Sequence, residues 1–154
     1  MGDGAPLIPK SPLEVRPLRT VLTIGTFDVP HLGHAYLFLK ALELGDELVV
    51  GVNSDEFVET YKGRRPAYSL GERLELVARL GHRVEVNDGP GRELVYRVRP
   101  DVLAIGDDWM PGRGKDYLGQ IGMTPADFDE LELTLAFIPL RLQSTTQIKE
   151  RLTG

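Results

Sequence analysis

Residues 20–44 read TVLTIGTFDVPHLGHAYLFLKALEL, and this stretch decides the fold. The apolar run at residues 20–27 is typical of a buried strand. After the turn GTFDVPHLG, apolar residues recur at helical spacing from His34 to Leu44, and Gly45 ends the segment. The stretch therefore predicts a strand, a loop and a helix, in that order.

The same alternation continues along the chain. Further strands are predicted at residues 47–52, 82–86, 101–105 and 131–138. Helices are predicted at residues 54–61, 70–80 and 91–98, from Thr124-Pro125 onward, and at residues 144–152. The helix at residues 70–80 begins with Ser69 and Glu72, which have the spacing of a capping box.

This order of elements predicts an α/β fold with a doubly wound, five-stranded parallel sheet and helices on both faces, because right-handed crossovers place successive helices on alternate sides. In such sheets, ligands bind beyond the carboxyl ends of the strands. The motifs GTFDVPHLGH, GDDW and QSTT each follow a predicted strand. We therefore expect them to lie along one edge of the sheet.

Composition limits the classes of protein that the chain can represent. Its 154 residues suit one domain, predicted at residues 19–154 behind a proline-rich arm at residues 1–18. A net charge of −5 argues against a broad nucleic-acid surface, and the absence of cysteine excludes disulfides and thiol catalysis. We expect neither a membrane span nor a secretory signal, and therefore a cytoplasmic location.

Two of the three histidines in the chain stand at the start of the first predicted helix, flanked by glycines. His31 and His34 are three residues apart, so both imidazoles can face one object. Gly25 permits an unusual turn at the strand end, and Gly33 lets a ligand approach the helix closely. Because a helix N-terminus favours anions, the pattern predicts a phosphate site. A structural turn and a two-histidine metal site are the alternatives, although a third ligand with zinc-like spacing is not evident.

Cations cluster locally within this acidic chain. They lie in YKGRRP at residues 61–66, at Arg73, and in GRGK at residues 112–115. Such clusters are either solvated surface or the binding site of a small anion such as a nucleotide.

Four ordered motifs resemble the cytidylyltransferase-like nucleotidyltransferases. The family signature pairs HxGH, here His31 to His34, with STTxIK, here Ser144 to Lys149. Within that family, LGDELVVGVNSDEF, RPAYSLGER and GDDW are most similar to segments of bacterial glycerol-3-phosphate cytidylyltransferases. The likeness runs from about residue 20 to residue 153.

The resemblance implies transfer of CMP from CTP to a small phosphorylated alcohol, with glycerol 3-phosphate as the first candidate and Mg²⁺ accompanying CTP. Pyrophosphate would leave by direct in-line attack, since a dianionic acceptor phosphate needs no general base. One alternative is an adenylyltransferase of the same superfamily that uses ATP with a sugar phosphate or FMN. A catalytically silent nucleotide-binding protein is another. A homodimer is also implied.

The family's functional residues carry over by position. The resemblance implies a catalytic set of His31, His34, Lys62 and Thr146, in which the histidines stabilise the α-phosphate and the departing pyrophosphate. Lys62 would bind the triphosphate or the acceptor phosphate, and Arg73 the acceptor phosphate. The implied nucleotide-binding residues are Gly25, Thr26, Phe27, Gly33, Asp107, Trp109, Arg141, Ser144, Thr145 and Thr146. No metal ligand from the protein is predicted.

The resemblance leaves two questions open: which aspartate contacts the base, and what the segment at residues 110–132 does. Asp107 would accept the amino group of cytosine while Trp109 shapes the pocket wall, but the adjacent Asp108 could take the same role. The stretch at residues 110–132 is longer than in the glycerol-phosphate enzymes. It is either a lid that carries Arg113 and Lys115 or a tolerated insertion.

Overall fold

A parallel sheet of five strands forms the centre of the protein. The computed structural model describes residues 17–29 and 32–140. Its strands are β1 (Thr20–Gly25), β2 (Glu47–Asn53), β3 (Arg83–Asn87), β4 (Val102–Gly106) and β5 (Thr134–Ile138). They pair in the order β3-β2-β1-β4-β5, which places β1 between β2 and β4. All four pairings are parallel, so every carboxyl end lies at the same edge.

Helices cover both faces of this sheet. They are α1 (Leu32–Leu42), α2 (Asp55–Lys62), α3 (Leu70–Arg79), α4 (Arg92–Val98), α5 (Tyr117–Ile121) and α6 (Pro125–Leu131). Successive side chains of a strand point to opposite faces. Val21 accordingly packs in one apolar cluster with α1 and α3, while Leu22 packs in a second cluster with α4, α5 and α6. The predicted doubly wound α/β fold is confirmed.

Local sequence signals account for the starts of α2 and α3. The Ser54 side chain caps α2 by accepting the N–H of Phe57 at 3.1 Å. At α3, Ser69 accepts the N–H of Glu72, and the Glu72 carboxylate accepts the N–H of Ser69. The predicted capping box is therefore formed, and it satisfies N–H groups that have no partner inside the helix.

Several boundaries differ from the predictions. Strand β1 ends at Gly25 instead of residue 27, because Phe27 adopts a left-handed φ of 53°. Helix α1 begins at Leu32 instead of His34. The fifth strand begins only at Thr134, since Leu131 ends α6 and Glu132 turns the chain with a φ of 51°. Helix α5 was not predicted.

Some predictions fall outside the described residues. They are the helix at residues 144–152 and all but the last two residues of the arm at 1–18. Within the described residues, no helix combines the length and the apolar character needed to cross a bilayer.

Candidate active site

Two neighbouring cavities open at the carboxyl edge of the sheet, and Thr26 and Lys62 line both. The first, here called the aromatic cavity, has a volume of about 260 Å³ and carries the rings of Phe57, Tyr61, Trp109 and Tyr117. The second, here called the basic cavity, has a volume of about 330 Å³ and carries Lys62, Arg64 and Arg65 beside Asp28. The sheet thus places an apolar, ring-lined space beside a cationic one.

The GTFD turn is organised by the ring of Phe27. This ring lies 5.2 Å from the ring centroids of both His34 and Phe38, in edge-on geometry. A Cβ built on Gly25 would stand 2.7 Å from the Phe27 ring. Gly25 does not have a positive φ, so it is required for the close approach of this ring and not, as predicted, for an unusual backbone turn.

His34 lies in the first turn of α1, with Gly33 beside it. Its ring lines a separate apolar groove of about 390 Å³ between α1 and α3, together with Phe27, Phe38 and Leu76. The described residues therefore do not bring His34 into the cavities that hold Lys62. His31 lies outside the described residues, as do Arg141, Ser144, Thr145 and Thr146. The roles of all six residues stay predictions.

Asp28 ties the GTFD turn to the loop after α2. Its carboxylate accepts the N–H groups of Ala67 and Tyr68, both at 2.8 Å. Partial burial would raise the pKa of Asp28, but these two hydrogen bonds and the charges of Arg73 and Lys62 outweigh it, so the pKa lies below its usual value. The carboxylate is therefore charged at neutral pH and holds the two loops together.

Arg73 is turned into the protein and not toward an open phosphate site. The side chain is only 1% exposed. It donates four hydrogen bonds, of 2.7 to 3.0 Å, to the carbonyls of Tyr68, Thr26 and Asn53 and to the carboxylate of Asp55. A guanidinium buried this way is satisfied by protein acceptors. This geometry departs from the predicted acceptor-phosphate contact, because Arg73 instead fixes the strand ends that form the site.

The basic cavity contains cations with different neighbours. Arg65 lies between the carboxylates of Asp55, Glu56 and Glu59, at 4.0, 3.5 and 3.6 Å. Among the described residues, Lys62 and Arg64 form no ion pair. Lys62 ends α2, and Gly63 follows with a left-handed φ of 73° that turns the chain toward the cavity. Lys62 therefore lines the cavity without a salt bridge to any described carboxylate, and its charge acts on Asp28 from beyond ion-pair distance.

A chain of hydrogen bonds joins three strand ends below the aromatic cavity. Asn87 donates to the Asn53 side-chain oxygen at 2.8 Å, and the Asn53 amide donates to the Thr26 hydroxyl at 3.2 Å. The Tyr61 hydroxyl lies 3.1 Å from that of Thr26. Sequence patterns did not indicate these contacts, since they join residues from separate strands.

The GDDW turn separates the two adjacent aspartates. Asp107 Oδ1 accepts the N–H of Leu140 at 3.3 Å, on the β5 side of the turn. Asp108 is exposed and pairs with Lys115 at 3.2 Å. Lys115 in turn lies 4.9 Å from the ring centroid of Trp109. The two carboxylates thus have different partners, and which of them contacts a base stays a prediction.

Tyr117 is a residue of the aromatic cavity that sequence analysis missed. It begins α5, after Asp116 caps the helix by accepting the N–H of Gly119 at 3.1 Å. The Tyr117 ring packs 5.4 Å from that of Trp109. Its hydroxyl is buried with no hydrogen-bond partner among the described residues, and burial raises its pKa above the usual value. Part of the segment at residues 110–132 thus forms a wall of the site.

The described part of the chain contains no group of three His, Asp or Glu side chains that could hold a metal ion. The cavities instead offer stacking surfaces and positive charge. Such a pair of spaces suits a ligand that combines a flat ring with phosphate groups.

Comparison with known proteins gives a consistent relationship. The sequence model of the cytidylyltransferase-like family matches residues 22–151. Over 92 residues, the chain is 45% identical to the FAD synthase of Thermococcus sibiricus. The aligned residues make up 57% of this chain and 62% of that protein. The chain is 41% identical over 111 residues to the bifunctional protein HldE of a Nitratiruptor species, covering 70% of this chain and 23% of the relative. The chain thus spans less than two thirds of either relative.

Solved structures share the fold. The lipopolysaccharide core biosynthesis protein from Thermoplasma volcanium superposes with a TM-score of 0.65 at 26% identity, covering 83% of this chain and all of that one. A protein of unknown function from Archaeoglobus fulgidus superposes with a TM-score of 0.59 at 20% identity, covering 82% of this chain and 93% of that one. The second likeness concerns the fold alone.

Proposed function

The chain belongs to the cytidylyltransferase-like family of nucleotidyltransferases, and from this premise we propose that it transfers a nucleoside monophosphate from a nucleoside triphosphate to a phosphorylated small molecule. A phosphate oxygen of the acceptor attacks the α-phosphorus in line. The bond between the α- and β-phosphates breaks, and pyrophosphate leaves with its electron pair. No covalent intermediate with the protein forms.

The observation that carries this proposal is the position of Lys62. Its side chain lies where the ring-lined cavity meets the basic one, and among the described residues no carboxylate pairs with it. A lysine at such a junction can neutralise charge that moves from the acceptor phosphate to pyrophosphate. His34, at the start of α1, is proposed to donate to the phosphates after its ring leaves the groove beside Phe27.

Mg²⁺ is proposed to arrive with the nucleotide. The described residues form no three-ligand cluster, and Mg²⁺ commonly binds through substrate phosphates and water with few protein ligands. When bound, the ion would neutralise part of the triphosphate charge. Holding the ring and orienting the two phosphates would remain with the protein's own residues.

ATP is the proposed nucleotide. FAD contains an adenylyl group, so the names of the FAD synthase relatives favour the adenylyltransferase alternative over CTP. CTP is kept as the second candidate because of the GDDW turn, which leaves Asp107 as a carboxylate able to accept an amino group from cytosine. A homodimer stays a prediction.

The decisive experiment measures pyrophosphate release with ATP and with CTP, each paired with FMN, a sugar phosphate and glycerol 3-phosphate. We expect turnover with ATP to exceed that with CTP. Turnover with CTP alone would reverse the nucleotide assignment. Thermal stabilisation by a nucleotide without pyrophosphate release from any pair would identify a silent nucleotide-binding protein.

The Lys62→Ala variant tests the central residue. We expect kcat/KM to fall by about 100-fold, in the range for removal of one charge-stabilising group. Lys40→Ala is the matched control, since Lys40 lies on α1 outside both cavities, where it pairs with Glu43 at 3.5 Å and lies over the Tyr36 ring. Equal kcat/KM values for the two variants would contradict the role of Lys62.

A further inference from the structure

Two pairs of aromatic rings stand on opposite sides of the end of β1. Phe57 and Tyr61, with centroids 5.0 Å apart, come from α2, which follows β2. Trp109 and Tyr117, with centroids 5.4 Å apart, come from the segment that follows β4. Because β2 and β4 flank β1 in the sheet, the two pairs form facing walls above Gly25 and Thr26.

Three of the polar side chains that line this cavity are bonded to one another. Thr26, Asn53 and Tyr61 are joined by hydrogen bonds of 3.1 to 3.5 Å. Gln120 offers a carboxamide that forms no hydrogen bond among the described residues. A sugar or glycerol body would bring several hydroxyl groups that need partners, whereas a flat heterocycle needs ring faces and few hydrogen bonds. The lining therefore favours the heterocycle.

The two residues predicted to form the base pocket are separated in the structure, since Trp109 lines the aromatic cavity and Asp107 does not. Asp107, the residue predicted to contact the base, does not line the aromatic cavity, and it accepts the N–H of Leu140 on the β5 side of β4. The aromatic cavity lies on the β2 side, where it meets the basic cavity at Lys62. A ring in this cavity would have its phosphate near Lys62, as the acceptor of the proposed reaction requires.

We propose that the aromatic cavity binds a planar aromatic ring carried by the acceptor phosphate, and that Tyr61, Trp109, Tyr117 and Gln120 determine this specificity. The proposal rests on the proposed function, since it names the acceptor class for the same site. Tyr61 and Trp109 supply ring faces, and Gln120 donates to or accepts from the heteroatoms of the ring. Sugar phosphates and glycerol phosphates are then poor acceptors.

The single tryptophan of the chain provides a binding assay that needs no turnover, because Trp109 stands in the cavity wall. FMN serves as the ring-bearing phosphate and glycerol 3-phosphate as the phosphate without a ring, with free tryptophan as the absorbance control. We expect FMN to quench Trp109 emission saturably and glycerol 3-phosphate to leave it unchanged. Saturable quenching by ATP alone but not by FMN would overturn the proposal, because the cavity would then hold the base.

Variants separate the ring site from the nucleotide site. Tyr61 is 43% exposed, so Tyr61→Ala leaves the core intact. We expect this variant to weaken FMN binding and raise the KM for FMN by about tenfold, the scale of one lost ring stack, with the KM for ATP unchanged. Trp109→Leu is the second variant, and we expect it to raise the KM for FMN more than the KM for ATP; because Trp109 is also a predicted nucleotide contact, the reverse order would assign the cavity to the base. Tyr36→Ala, which removes a half-buried ring of α1 outside both cavities, is the matched control.

The outcomes are distinguishable from failure of the proposed function. A rise in the KM for ATP in Tyr61→Ala, with the KM for FMN unchanged, would overturn the assignment of the aromatic cavity to the acceptor ring. The proposal of nucleotidyl transfer would still stand. A higher kcat/KM for glycerol 3-phosphate than for FMN would overturn it as well. Saturable FMN binding without pyrophosphate release from any pair of nucleotide and acceptor would overturn the proposed function. The aromatic cavity would still be a site for a planar ring.

Discussion

Arg73 and Asp55 form a 2.7 Å ion pair that joins α3 to the first turn of α2. Burial alone would raise the pKa of Asp55. Hydrogen bonds from Arg73 and from the N–H of Leu70, with the charges of Arg73 and Arg65, hold it below its ordinary value instead. The remaining donors of Arg73 satisfy the carbonyls at the ends of β1 and β2. One side chain therefore fixes the relative positions of two strands and two helices beside the cavities.

Replacing Arg73 should destabilise the whole fold. Arg73→Met removes the buried partner of the Asp55 carboxylate and leaves it the exposed Arg65 and the N–H of Leu70, and loss of one member of a buried pair costs about 3–5 kcal/mol. Urea denaturation measures the change in the free energy of unfolding. Arg79→Ala is the matched control on the same helix. The Arg79 side chain pairs with Glu75 and is 76% exposed, so we expect the free energy of unfolding to fall by less than about 1 kcal/mol. An Arg73→Met protein with wild-type stability and a raised acceptor KM would restore the predicted phosphate contact.

Asp28 should make the free energy of unfolding depend on pH. Its folded pKa lies below the unfolded value of about 3.9, so the folded state favours the charged form. The stabilisation is present above about pH 4 and is lost as pH falls through the lowered folded pKa. We expect the urea midpoint of Asp28→Asn to lie below that of the wild type at pH 7 and pH 5, with the gap narrowing below about pH 4. A gap that is constant with pH would contradict this account. Asp129→Asn, at an exposed site on α6, is the control.

Two glycine substitutions should have opposite effects. In Gly25→Ala, the new Cβ would meet the buried Phe27 ring at 2.7 Å, so we expect a loss of about 1–3 kcal/mol in unfolding free energy. In Gly71→Ala, the nearest atom to the new Cβ is Ser69 Oγ at 3.9 Å. Because Gly71 lies within α3, this variant should gain about 0.5–1 kcal/mol. Thermal and urea denaturation of both variants check the signs, and the reverse order would refute the packing role of Gly25.

His34→Ala should lower kcat while nucleotide binding persists. We expect a fall of about 100-fold or more in kcat, with the nucleotide Kd changed by less than about threefold, since the imidazole is proposed to act on charge that develops during transfer. Pyrophosphate release and calorimetric titration measure the two quantities. His82→Ala is the matched control, because His82 packs against Phe38 at 5.4 Å and burial lowers its pKa. A near-normal kcat for His34→Ala would leave His34 as a packing residue of the α1–α3 groove.

Much of the fold was readable from local sequence because buried parallel strands are short apolar runs that end at recognisable turns. The capping box of Ser69 and Glu72 is equally local. Helix α5 was not predicted, since five residues in a glycine-rich stretch carry no helical periodicity. Two of the boundaries that moved, at Phe27 and Glu132, lie where the backbone takes a left-handed conformation without a glycine to signal it.

In the candidate site, too, local features were predictable from the sequence and contacts between separate elements were not. Sequence motifs located the GTFD turn, Lys62 and the GDDW turn, which follow directly from strand and helix ends. They gave no sign that Arg73 points inward or that Asp28 binds N–H groups about 40 positions away, because these contacts depend on how separate elements pack. Roles assigned to His31 and to residues 141–146 stay predictions from the motifs.

The side-chain bonds from Asn87 through Asn53 to Thr26 have a consequence for how the site can vary. Asn87 belongs to an outer strand that carries none of the predicted catalytic residues. Even so, a substitution there removes the donor that holds the Asn53 amide, and the change reaches Thr26 two strands away. Substitutions on the outer strand of the sheet can thus change the position of Thr26 in the aromatic cavity without altering any residue in the signature motifs.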